Sequence, residues 1–163
     1  IVPFGGAELA AELGCLSADH LLRISDAGIK ALAESNTVAT LLPCTAFSLR
    51  ADYAPARKMI DAGCAVALGS DLNPGSCFSA SVPLMFALAT LYMGMTVEEA
   101  ITALTINGAA AIGRADTIGS IEPGKKGDLV VLQYPSYKFL SYHFGMNLVE
   151  HTVKGGRVVY TNS

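Results

Sequence analysis

Charge is scarce in this sequence: Asp, Glu, Lys and Arg make up 15% of its 163 residues, against roughly 25% in an ordinary soluble domain. The small imbalance is acidic, 11 Lys and Arg against 14 Asp and Glu for a net charge of −3, which argues against a nucleic-acid surface. Long uncharged runs are missing too. The longest candidate, Ser81 to Met95, is shorter than the roughly 18 residues that a spanning helix needs and is bounded by turn formers, so no membrane is expected. No Cys-x-x-Cys pair occurs, and Cys15, Cys44, Cys64 and Cys77 stand far apart among apolar neighbours. That is the pattern of reduced core thiols, and it points to a cytoplasmic protein without disulfides or a zinc finger. Gly-x-Ser-x-Gly and glycine-rich phosphate loops are absent, which removes support for serine-nucleophile, hydride-transfer and kinase chemistry.

Apolar residues, by contrast, are abundant, at 52% with a mean hydropathy of +0.43. A free-standing globule of this length buries only about 70% of its unfolded surface, so a partner subunit or further chain is expected to meet the excess. The opening Ile-Val-Pro-Phe-Gly-Gly, without an initiator Met or a basic n-region, reads as the start of a fragment.

Apolar spacing predicts a helix over Ala7–Leu13 and a strand over Leu16–His20. Ser25 and Asp26 cap a second helix through Ile29, Leu32 and Ala33, followed by a strand over Thr37–Leu42. A third helix, Asp52–Ala62, leads to a strand over Cys64–Leu68. Strands apolar on both faces and alternating with helices indicate a parallel sheet, either a (β/α) barrel or a doubly wound sheet, with ligands at the strands' C-terminal ends. His20 and Asp71 fall there. Helices are expected over Pro83–Met93 and from Thr96, where Thr96-Val-Glu-Glu99 forms a capping box. After Gly113 the pattern changes to β: a turn over Ile121–Asp128, a strand over Leu129–Leu132, and a hairpin of Val149–Lys154 and Arg157–Tyr160 around Gly155-Gly156. This sheet is expected to gain strands from elsewhere.

His20, preceded by Asp19, suits a metal ligand, a proton carrier or a substrate donor, and equally a hydrogen-bonded structural histidine. A carboxylate at Asp71 ends a buried run, where an anion is disfavoured unless a cation or several donors stabilise it. It suits a metal ligand and proton acceptor, or else an Asx-turn in the Asn-Pro-Gly loop. Asn73, Gly75 and Ser76 offer an amide, a backbone N–H and a hydroxyl to a polar substrate, or a simple turn. His143 and His151 read as structural.

Four segments carry a resemblance: Ser17-Ala-Asp-His20, Leu42-Pro-Cys-Thr45, Gly69-Ser-Asp-Leu-Asn-Pro-Gly-Ser76 and Gly124-Lys-Lys-Gly-Asp-Leu-Val-Val131. They resemble the C-terminal half of amidohydrolase-superfamily enzymes. Asp71-Leu-Asn-Pro-Gly-Ser76 and Tyr137-Lys-Phe-Leu-Ser-Tyr-His-Phe-Gly-Met-Asn147 are more similar to the imidazolonepropionase family than to the related deaminases. The resemblance implies the last three or so strands of a (β/α)8 TIM-like barrel over residues 1–113, and strands of a small β-sandwich over residues 114–163. It implies one divalent or transition metal ion, zinc or iron, with Asp71 as its last ligand. It places His20 near the metal and the tetrahedral intermediate, and Asn73, Gly75 and Ser76 against the imidazolone ring and its propionate arm. The implied reaction is hydrolysis of 4-imidazolone-5-propanoate to N-formimidoyl-L-glutamate in histidine degradation. The family's His-x-His pair, fifth-strand His and nearby acid are absent here, so the implied partner is the missing N-terminal part of the same enzyme, with room for a homodimer. Another cyclic amidohydrolase or deaminase, or a noncatalytic barrel-half interaction protein, stays open as an alternative.

Overall fold

A computed structural model describes residues 4–162; Ile1–Pro3, in the opening segment read above as a fragment's start, and Ser163 lie outside them. Three short strands, β1 (Ser17–Asp19), β2 (Val38–Leu41) and β3 (Val66–Leu68), form a parallel sheet in chain order. They alternate with α1 (Gly6–Glu12), α2 (Asp26–Ala33), α3 (Pro43–Ser48) and α4 (Ala56–Asp61). Sequential order is what a barrel requires, whereas a doubly wound sheet reverses at its switch point. Ala18, Ala39 and Val66 share one face by register, with Leu41 and Leu68 a step further along. All five belong to a core that continues into Ile29, Leu32, Met59 and Phe86 from the helices. Asp19, Thr40 and Ala67 share the opposite face.

α2 begins where expected because the Ser25 side chain accepts from the Gly28 N–H, and the same hydroxyl donates to Glu8 of α1 at 2.6 Å. α4 starts at Ala56 rather than Asp52: Pro55 restricts the residue before it to extended backbone, so the helical spacing upstream cannot be realised. α5 (Val82–Tyr92) is apolar nearly all round and buries Met85, Phe86, Ala87, Leu88 and Ala89. The Thr96–Glu99 capping box opens α6 (Val97–Leu104) with both of its hydrogen bonds in place. Arg57 of α4 clamps the same Glu99 through two bonds of 2.8 and 3.0 Å. The helix breaks at Thr105, and α7 (Ile106–Ala111) lies close to β2 and β3, with the Asn107 amide donating to the Val66 carbonyl at 2.8 Å.

The tail forms its own antiparallel sheet of β4 (Leu129–Leu132), β5 (Val149–Lys154) and β6 (Arg157–Thr161), in that order. A short α8 (Phe139–Tyr142) interrupts the connection. Asp128 pins the hairpin by accepting from the Gly155 N–H at 2.8 Å and from Lys154. No helix among the described residues is long and apolar enough to cross a membrane.

Candidate active site

Parallel strands end together, so the loops leaving β1, β2 and β3 emerge along one edge of the sheet. His20 is the first residue past β1, and its N–H bonds to the Thr40 carbonyl at 3.0 Å, which carries the sheet ladder one step further. The backbone then turns sharply: His20 and Leu21 have φ of 68° and 56°, and Asp71, after β3, has 51°. Positive φ is uncommon for residues other than glycine and marks positions that the surroundings enforce. The two turns bring the His20 Nε2 to 3.9 Å from the Asp71 Oδ2, beyond hydrogen-bond reach but close enough to face one reacting centre.

Thr45 of α3, which follows the middle strand, is 4% exposed. Its hydroxyl donates to the Asp71 Oδ2 at 2.6 Å. This is the residue that reading the sequence missed as a member of the site. The signal was its position just past the end of the middle strand, the same signal that singled out His20 and Asp71. Cys44 and Cys77 pack with Met85 and Leu88 behind this wall, and burial, aided by the neighbouring Cys77, pushes the Cys44 thiol up to about 11.

The Asn73–Ser76 loop is held by its own first residue. The Asn73 Oδ1 accepts from the N–H groups of Gly75 and Ser76 at 2.9 and 2.8 Å, and its amide donates to the Asp71 carbonyl at 2.7 Å and to the Ser76 hydroxyl at 3.0 Å. A bridge from Asn73 to Cys77 closes the loop. These three residues therefore lie beside Asp71, with their polar groups engaged in holding the loop's shape. His143 sits apart, edge-on to Tyr134 and Phe139, and His151 bonds Thr161 across the tail hairpin at 3.1 Å.

A metal finds one open oxygen here. Oδ2 of Asp71 is engaged by Thr45, while no partner for Oδ1 occurs among the described residues and the side chain is 25% exposed. The donor set stops short of a complete centre, because no three His, Cys, Asp or Glu side chains cluster among the described residues and a catalytic zinc takes about three protein ligands. Asp71 fits as one ligand of such an ion. A cleft of about 480 Å³ reaches His20 and Asp19 and is bounded by Phe4, Glu8 and Arg23. A larger one, about 710 Å³, lies around Tyr53, Arg57 and Tyr92 and includes none of these site residues.

Residues 4–159 match the amidohydrolase family. The chain is 73% identical over 158 residues to an imidazolonepropionase of Parabacteroides distasonis, a match covering 97% of this chain and 38% of that protein. It is 68% identical to an imidazolonepropionase of Clostridium tetani, over all of this chain and 39% of the relative. The chain thus spans about two fifths of the curated relatives it matches. Among solved structures, an adenosine deaminase from Xanthomonas campestris with bound zinc superposes with a TM-score of 0.79 at 22% identity, over 90% of this chain and 38% of that one. A mutant atrazine chlorohydrolase from Arthrobacter aurescens, complexed with zinc and atraton, superposes with a TM-score of 0.76 at 17% identity, over 98% of this chain and 43% of that one. The fold is the expected one, the C-terminal part of a (β/α)8-type hydrolase barrel beside strands of a small sandwich, and the chain belongs to the amidohydrolase family.

Proposed function

We propose that this chain forms the C-terminal wall of an imidazolonepropionase, which opens the ring of 4-imidazolone-5-propanoate by hydrolysis to N-formimidoyl-L-glutamate. The observation that carries this reading is the meeting of Asp71 and His20 at the C-terminal edge of a parallel sheet, with one Asp71 oxygen left open. The names and high identity of the relatives supply the substrate. In this reading residues 1–113 belong to the barrel and 114–163 to the sandwich, and the remaining metal ligands come from polypeptide outside these 163 residues.

Asp71 would be one ligand of a zinc or iron ion. The chemistry that such an ion supplies when bound is Lewis-acid polarisation of the ring carbonyl and acidification of water. Asp71 takes the proton of the attacking water as its oxygen bonds to the carbonyl carbon. As the ring C–N bond breaks, the same carboxyl returns that proton to the departing nitrogen, so that one water is consumed and the carboxylate is regenerated. His20, half-exposed on the facing turn, donates toward the oxygen on which negative charge develops. Asn73, Gly75 and Ser76 form the loop against which the ring and propionate lie, its shape fixed by Asn73.

The test is a substrate panel given to the complete enzyme: imidazolone propionate beside other cyclic amides and heterocyclic amines, with products identified by mass. N-formimidoyl-glutamate from the first substrate, in clear preference, is expected. Preferential release of ammonia from a heterocyclic amine would overturn the assignment in favour of a deaminase.

A further inference from the structure

We infer that Thr45 is a positioning residue of this site, fixing the Asp71 carboxylate so that Oδ1 is the oxygen presented to the reaction. The inference rests on the proposed reading of Asp71, which it deepens. Asp71 is held at two points. Its carbonyl accepts from the Asn73 amide at 2.7 Å, which secures the left-handed backbone, and its Oδ2 accepts from the Thr45 hydroxyl at 2.6 Å, which removes rotation about the side-chain bonds. Thr45 is itself immobilised. It lies on α3 between Cys44 and Ala46, both 1% exposed, behind Pro43 at the start of that helix. A hydroxyl has a single proton to give, and here it goes to Asp71 across 26 residues of sequence rather than to a carbonyl of its own helix. A carboxylate with one oxygen engaged and one open keeps a single productive orientation, whereas a freely rotating one must be ordered in every turnover.

The test uses the complete enzyme with Thr45→Val, which keeps the shape and removes the hydroxyl, together with Thr45→Ala, Thr45→Ser and Asp71→Asn. Turnover of imidazolone propionate and retention of the bound metal against a chelator are both measured. Thr45→Val is expected to lower kcat about 10- to 100-fold, with KM little changed, and to weaken metal retention by a similar factor. Thr45→Ser should recover most of both losses. If Thr45→Val does not fold, Thr45→Ala and Thr45→Ser decide in the same way. A Thr45→Val or Thr45→Ala enzyme with native kcat and metal retention, beside an inactive Asp71→Asn, overturns the role of Thr45 and leaves that of Asp71 standing. A Thr45→Ser enzyme as impaired as Thr45→Val also overturns it, since packing rather than the hydroxyl would then matter. Native turnover by Asp71→Asn overturns the underlying reading itself.

Discussion

The strand-end turns and the tail hairpin both pass through left-handed backbone, yet they assign it to different residues. In the hairpin it falls on Gly155 and Gly156, at φ of 56° and 77°; past β1 and β3 it falls on His20, Leu21 and Asp71. Glycine adopts this conformation freely, whereas a residue with a Cβ is disfavoured by about 1–2 kcal/mol. The hairpin puts the less strained residue there, whereas the turns past β1 and β3 carry an imidazole and a carboxylate in the strained conformation. Burial divides the regions in the same way: every residue of β3 is buried and every residue of β6 is exposed. Rigid packing lies under the strained turns, and the exposed sheet carries none of the proposed site residues.

Four outcomes sharpen or break this contrast. The largest is expected at Asp71, where Asn keeps the shape and removes the proton acceptor: kcat should fall about 10²- to 10⁴-fold, as steady-state kinetics on the complete enzyme would read. Next comes packing. Phe86, 1% exposed, should lose about 3–5 kcal/mol of stability on replacement by Ala. Val158, 61% exposed on β6, should lose no more than about 0.5 kcal/mol. Chemical denaturation measures both, and equal losses would erase the distinction. Smaller effects test the backbone argument. Gly156→Ala should destabilise by about 1 kcal/mol without changing turnover, while Arg50→Gly, at a positive φ of 54° with no role in the site, should stabilise by about the same amount.

The smallest effect is in acid. The Arg57 guanidinium holds the Glu99 carboxyl below its ordinary value of 4.5, and Lys154 holds Asp128 below 3.8. Both groups favour the fold when ionised, so their contribution is complete above those ordinary values and is lost as the pH falls through the lower folded ones. Acid unfolding of Glu99→Gln, followed by circular dichroism, should show a shallower dependence on pH over that range. An unchanged profile would mean that the Arg57 clamp adds nothing there.

The alternation of apolar runs with capped helices revealed the parallel sheet because burial on both faces leaves a continuous apolar strand, and Ser25 and Thr96 marked their helix starts through local hydrogen bonds. Other features depend on distance in the chain. α3 was hidden because Leu42-Pro-Cys-Thr45 follows a strand directly and, six residues long, α3 shows too little helical spacing to be recognised. The apolar spacing predicts a longer α4 because it continues upstream of Pro55, which keeps the residue before it out of the helix. The positions of His20 and Asp71 followed from where their strands stop. The bond from Thr45 to Asp71 did not, because it spans 26 residues and leaves no local pattern. Asn73 looked equally suited to a turn or a ligand, and the structure shows how completely its amide is engaged in the turn.

The most direct measurement is a crystal structure of the complete enzyme with anomalous diffraction collected at the zinc and iron edges. One peak is expected within bonding distance of Asp71 Oδ1, with Thr45 still bonded to Oδ2 and His20 facing the same ion. A peak that Asp71 does not touch, in an enzyme that hydrolyses imidazolone propionate, would contradict it.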